Sequence, residues 1–103
     1  MLKVISLMKR KEDMSLEEFR HWAFEEHPKL GVKLPGIRRY RMSVVLEDSP
    51  DLPYHAVSEF WLDDKAAFQA AFATPEGKAA GEDAMAHCAS RVRLLTEEKI
   101  IIE

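Results

Sequence analysis

Apolar positions along this chain follow two rhythms, a strand period of two and a helical period of 3.6, and the switches between them mark six elements. Residues 2–9 place Leu2, Val4, Ile5, Leu7 and Met8 on both parities of a first strand. The polar stretch Lys9-Arg10-Lys11-Glu12-Asp13 follows. Ser15 then opens a helix. Ser15 and Glu18 form the S-x-x-E pattern, in which cap and third residue bond each other's backbone, and Met14 and Phe19 occupy the two staple positions. At the helical period, Leu16, Phe19, Ala23, Leu30 and Leu34 make one apolar stripe, with His27 in its middle. Pro28 removes a backbone donor and disfavours helical geometry at His27, so the pattern predicts a kink or a restart there. Leu34-Pro35-Gly36 stops the helix.

Residues 37–47 predict a second strand, with Tyr40, Met42 and Val44 on its more apolar face. Turn formers fill 48–53. Residues 54–62 predict a third strand, with Phe60 and Leu62 on one face and Val57, Glu59 and Trp61 on the other. Asp63 or Asp64 caps a second helix carrying Phe68 and Phe72 one turn apart. Thr74-Pro75 interrupts and restarts that helix, which runs to about Ala89. Residues 91–102 form the last strand, ending in Ile100-Ile101-Ile102. The order β-α-β-β-α-β predicts an α+β, ferredoxin-like fold: a four-stranded antiparallel sheet with two helices on one face. Two helices cover one face, yet the strands are apolar on both parities. The economical second cover is the sheet of another copy, so a homodimer is expected. The pattern leaves open which face Glu59 and Trp61 occupy.

Composition narrows the classes. The chain has 103 residues, 47% hydrophobic and 32% charged, the balance of a single domain over 1–103. The formal charge is −3, with the first 47 residues at +3 and the remainder at −6. The one basic cluster, Arg38, Arg39 and Arg41, is narrower than a nucleic-acid footprint, and the strands lack the aromatic pattern of RNA-recognition domains, so no nucleic-acid partner is expected. No apolar run approaches the ~18–20 residues of a membrane span. The first ten residues do not read as a secretory signal. The single cysteine, Cys88, excludes an internal disulfide and a cysteine-built zinc site, and the expected compartment is the reducing cytoplasm. No Gly-rich phosphate loop, nucleophile elbow or helical histidine pair occurs, so no cofactor and no metal are expected.

His27 is the sharpest chemical candidate. An imidazole on a buried stripe must be hydrogen-bonded or face a cavity, and histidine is the side chain that changes charge near neutral pH. Tyr40 points its hydroxyl toward the first helix if its face looks at the helices. Glu59, in the middle of an apolar strand, needs a partner such as Arg39 or Arg41. His55, near a strand start, is expected at the surface. His87 and Cys88 are adjacent on a helix and do not face one point.

Phe19-x-x-Trp22, His27-Pro28-x-Leu30, Leu34-Pro35-Gly36 and Tyr40, followed by Glu59-Phe60-Trp61, Ala71-Phe72-Ala73-Thr74-Pro75-Glu76 and Thr96-Glu97-Glu98, resemble the EthD-domain family over nearly the whole chain. The resemblance implies a ferredoxin-like protomer and a dimeric α/β barrel. The family takes its name from a gene cluster for ethyl tert-butyl ether degradation. Its relatives include a methylmuconolactone methylisomerase, and the wider superfamily includes cofactor-independent monooxygenases, polyketide cyclases and haem-degrading enzymes. It implies a pocket between helices and sheet lined by residues matching His27 and Tyr40. The isomerase also uses pocket cysteines, and Cys88 is far along the second helix.

The expectation is cofactor-independent proton transfer, meaning isomerisation, cyclisation or dehydration, on a small apolar oxygenated compound such as a lactone, phenol or polyketide fragment. His27 would carry the proton, Tyr40 would orient it or donate to an oxyanion, and Met42, Phe60, Phe68 and Phe72 would wall the pocket. The alternatives are a non-catalytic carrier of a small hydrophobic ligand and a haem-binding or monooxygenase-type barrel.

Overall fold

The computed structural model describes residues 1–103. Strand β1 (Leu2–Arg10) leads into helix α1 (Leu16–His21), a π-helical turn (Trp22–Glu26) and helix α2 (His27–Gly31). Strands β2 (Arg39–Val44) and β3 (Ala56–Leu62) follow, then helices α3 (Lys65–Phe72) and α4 (Pro75–His87), and finally β4 (Cys88–Glu97). The sheet has the order β2-β3-β1-β4, and all three pairings are antiparallel. This is the ferredoxin-like α+β arrangement. No helix is long and apolar enough to cross a membrane.

The helix starts follow from their caps. The Ser15 hydroxyl accepts the Glu18 N–H at 3.1 Å while the Glu18 carboxylate accepts the Ser15 N–H at 2.9 Å. That backbone bond is the main reason the Glu18 carboxyl is held below its usual range. Asp64, rather than Asp63, caps α3 through the Ala67 N–H, and Thr74 caps α4 through the Gly77 N–H, with Pro75 at the first helical position. Gly36, at φ 84°, turns the chain from α2 toward β2 in a conformation that glycine adopts at no steric cost.

Strand register settles the faces. Val4, Ser6 and Met8 of β1, Ala56, Ser58 and Phe60 of β3, and Tyr40 and Met42 of β2 lie on the side covered by helices. One core cluster gathers Met8, Ala56 and Ala84 with Phe19, Trp22 and Ala23; the other joins Val4, Phe60 and Leu62 to Ala71. The opposite face carries Ile5, Leu7, Val57, Val92 and Leu94 together with Lys3, Glu59, Arg39, Arg41 and Trp61.

Three expectations change. The last strand stops at Glu97, because Glu97 already pairs with Leu2, the first residue of β1, and nothing remains for Ile100, Ile101 and Ile102 to pair with. They are exposed, and Glu98 pins the segment by accepting from Lys3 Nζ and Trp61 Nε1 at 2.9 and 3.2 Å. Glu59 pairs with Lys3 of β1 at 2.6 Å instead of with an arginine of β2. The Arg39 and Arg41 guanidinium groups lie over the Trp61 ring instead, at 5.7 and 5.5 Å. His55 is buried, 3% exposed, because its ring closes the end of the β1–β3 pair: Nδ1 accepts the Arg10 N–H at 3.1 Å and Nε2 donates to Asp48 at 3.2 Å.

Candidate functional site

The kink expected near Pro28 is a π-helical turn. Its hydrogen bonds skip one residue more than those of an α-helix, as the His27 N–H donating to the Trp22 carbonyl illustrates. In an α-helix, residues five apart point about 140° away from each other. The wider turn brings them onto one face, and the Trp22 and His27 rings stand with centroids 4.8 Å apart.

Both rings converge on Asp83 of α4. Trp22 Nε1 donates to Asp83 Oδ2 at 2.9 Å, and His27 Nδ1 lies 2.8 Å from the same oxygen. A carboxylate oxygen receives, so the His27 proton sits on Nδ1 and the neutral ring keeps its lone pair on Nε2. His27 is 9% exposed. His87, one turn after Asp83, donates from Nδ1 to the Asp83 carbonyl at 2.8 Å and stacks on Trp22 at 4.8 Å. The arrangement is a histidine fixed in tautomer and orientation by a carboxylate, which is itself fixed by an indole and a helix.

His27 lines a cavity of about 30 Å³ between α2, α4 and the covered face of the sheet. That is room for roughly two water molecules. Ser6 and Ser58, directly paired across β1 and β3, lie on its sheet side. Tyr40 lines it too, and the sheet does aim this ring at the helices. A β-carbon on Gly31 would stand 2.6 Å from the Tyr40 ring, so the aromatic edge reaches α2 only because Gly31 has no side chain. Phe60 meets Tyr40 edge to face at 6.3 Å. Burial pushes the Tyr40 phenol up to about 12, which keeps it protonated and able to donate across the neutral range.

Of the residues read from the sequence, His27, Tyr40, Phe60 and Phe72 come together around this cavity. Met42 packs instead against the Phe19–Trp22 cluster, and Phe68 lies behind Phe72 at 5.0 Å, so neither lines it. Cys88 is buried at the start of β4 outside the cavity, and burial pushes its thiol up to about 11, away from thiolate chemistry. Sequence reasoning missed Asp83, Arg91 and Arg93. Asp83 stands four residues before His87, a visible i, i+4 relation, but its contact with His27 spans 56 residues. Arg91 and Arg93 alternate along β4, and only the register reveals that they face inward.

A ferredoxin-like sheet with a carboxylate-held histidine opening onto the cavity beneath its helices defines a small α+β domain with an acid–base candidate at its centre. Residues 11–90 match the EthD domain, and the chain belongs to that family. It is 31% identical to an EthD-family protein of Bacillus halodurans C-125, with a TM-score of 0.81 over 96% of this chain and 99% of that one. A dimeric ferredoxin-like protein of unknown function from Thermobifida fusca YX has the same fold at 19% identity, TM-score 0.74, over 92% and 88% of the two chains. So does a hydroxynitrile lyase from Passiflora edulis, at 15% identity, TM-score 0.76, over 99% and 96%. No curated protein matches the sequence.

Proposed function

We propose that this protein is a cofactor-independent enzyme that moves a proton on a small, mostly apolar, oxygenated compound. The observation that carries the reading is the 2.8 Å contact between His27 Nδ1 and Asp83 in a ring that lines the cavity. It leaves Nε2 free to take a proton from a bound substrate, and the carboxylate stabilises the imidazolium that results. Tyr40, held protonated, donates to the oxyanion that develops when a proton leaves carbon beside a carbonyl. His27 Nε2 then returns the proton at another atom, which gives isomerisation, or helps a leaving hydroxyl depart as water. The hydroxynitrile lyase among the fold neighbours supports only that this scaffold accommodates an enzyme.

The protein acts as a homodimer in this reading, as a single domain over 1–103. The uncovered sheet face presents Ile5, Leu7, Val57, Val92 and Leu94, and a second copy placed face to face would bury them. A reducing cytoplasm suits its single buried thiol, Cys88.

His27→Gln tests the assignment. It keeps a hydrogen-bonding end of similar size, so fold and cavity should persist while turnover of an identified substrate falls by roughly 10²–10⁴. The pH dependence near neutrality should vanish with it. Full turnover with an unchanged pH profile would remove His27 from the mechanism. A ligand that binds and is always released unaltered would make the protein a carrier.

A further inference from the structure

The cavity holds positive charge that no group of the chain neutralises. Arg91 and Arg93 both line it, two residues apart on the covered side of edge strand β4, and no carboxylate belongs to the lining. Neither arginine takes part in an ion pair. Arg93 Nε is sealed from solvent and has no hydrogen-bond partner. Its guanidinium lies 4.5 Å from the centre of the Phe72 ring and 5.6 Å from that of Phe68. The aromatic faces hold the cation in place but offer no acceptor to its N–H groups.

We propose that the cavity takes a small carboxylate-bearing ligand, with the carboxylate paired to Arg93. The proposal rests on reading this cavity as the substrate site and adds the substrate's charge. A planar carboxylate matches the fork of a guanidinium with two parallel hydrogen bonds. Ser6 is the register partner of both Arg93 and Ser58, so two hydroxyls and the cation stand in one row across the sheet, a polar strip as wide as a carboxylate group needs. Phe60 and Phe72 offer apolar surface to the remainder of the molecule. Burial, with Arg91 beside it, pushes Arg93 down to about 10, the direction expected of a cation lacking its counter-charge, and it remains charged at neutral pH. A phosphate group is larger, carries more charge and asks for more donors than this narrow space presents. A substrate anchored by its carboxylate on β4 would extend from there toward His27 on α2.

The test uses benzoate and acetate as probes against their uncharged counterparts, benzamide and acetamide, with inorganic phosphate as a further arm. Binding is read by the NMR shift of the Arg93 Nε–H in the unmodified protein and by calorimetry. The carboxylates should move the Arg93 signal and bind at least about tenfold more tightly than the amides, the scale of one charge-assisted hydrogen bond. Arg93→Gln should abolish that preference and Arg93→Lys should retain part of it. Equal binding of acid and amide, no binding of either, tighter binding of phosphate, or carboxylate binding that leaves the Arg93 signal unmoved would each overturn the proposal. Benzoate affinity should change less than about twofold in His27→Gln, because charge recognition sits on β4. Selective carboxylate binding beside unchanged turnover in His27→Gln would therefore sink the proton-transfer reading alone. Loss of turnover in His27→Gln beside charge-blind binding would sink the carboxylate proposal alone.

Discussion

Trp22 and His27 share one oxygen atom. Both ring nitrogens lie within 2.9 Å of Asp83 Oδ2, although five helical residues separate them, and the π-helical turn is what places them side by side. Asp83 therefore ties the histidine-bearing helix to α4.

Replacing Asp83 with alanine leaves two ring N–H donors without a partner. A cost of about 1–3 kcal/mol is expected in urea unfolding, the usual penalty for a buried donor left unmade. Asp83→Asn keeps an acceptor and should cost less stability, while its lost charge lets the His27 proton settle on either nitrogen. Nitrogen chemical shifts of His27 would report that mixture. An Asp83→Ala protein as stable as its parent, with His27 still in one tautomer, would contradict the assignment.

Two helical glycines should respond to alanine in opposite directions. At Gly31 the new methyl group meets the Tyr40 ring at 2.6 Å, and the ring has Phe60 against it. Gly31→Ala should destabilise by about 1–3 kcal/mol through overpacking, and the loss should shrink when Tyr40 is also replaced by leucine. At Gly81 a methyl group meets nothing within 4 Å, so Gly81→Ala should gain about 0.5–1 kcal/mol from helix propensity. Thermal unfolding of the three variants decides the matter.

Acid should release the C-terminal segment. Hydrogen bonds from Lys3 first, and then from Trp61, hold the Glu98 carboxyl below its ordinary value. A carboxyl whose folded pKa is lowered stabilises the folded arrangement above the unfolded value and loses that contribution as pH falls through the folded one. The Trp61 indole N–H signal should therefore stay put down to about pH 4.5 and move below it, whereas the Trp22 signal should not follow the same titration. A Trp61 signal indifferent to acid would refute the link.

The open sheet face should govern assembly. Leu94→Arg, at the middle of that face, is expected to halve the sedimenting mass at micromolar concentration while helical circular dichroism is kept. A parent protein that sediments as a stable monomer would show that the face needs no second copy.

Much of this molecule is legible in its sequence where the signal is local. The Ser15–Glu18 cap, the Thr74-Pro75 restart and the period of each strand are short-range chemistry, and they appear where the pattern puts them. His27 and Tyr40 were visible because each sits on a stripe of otherwise apolar residues. What the sequence withholds is register. One step of strand parity decides that Phe60 faces the helices and Trp61 the opposite side, that Lys3 rather than an arginine meets Glu59, and that Arg93 looks inward. The end of β4 at Glu97 is equally non-local, since it is set by where β1 begins.

The extra residue in the turn from Trp22 to Glu26 makes length, rather than letter, the quantity this helix cannot trade. Deleting one residue there would restore a regular α-helix, with full backbone bonding and no apparent defect. Yet everything after the deletion would swing by about 100° relative to the capped end. His27 would leave Asp83, Gly31 would turn away from Tyr40, and a well-formed helix would present the wrong side of itself to the sheet. Insertions would fail in the same manner with the opposite hand. Substitutions along Phe24 and Glu25, both exposed to solvent, leave that phase untouched.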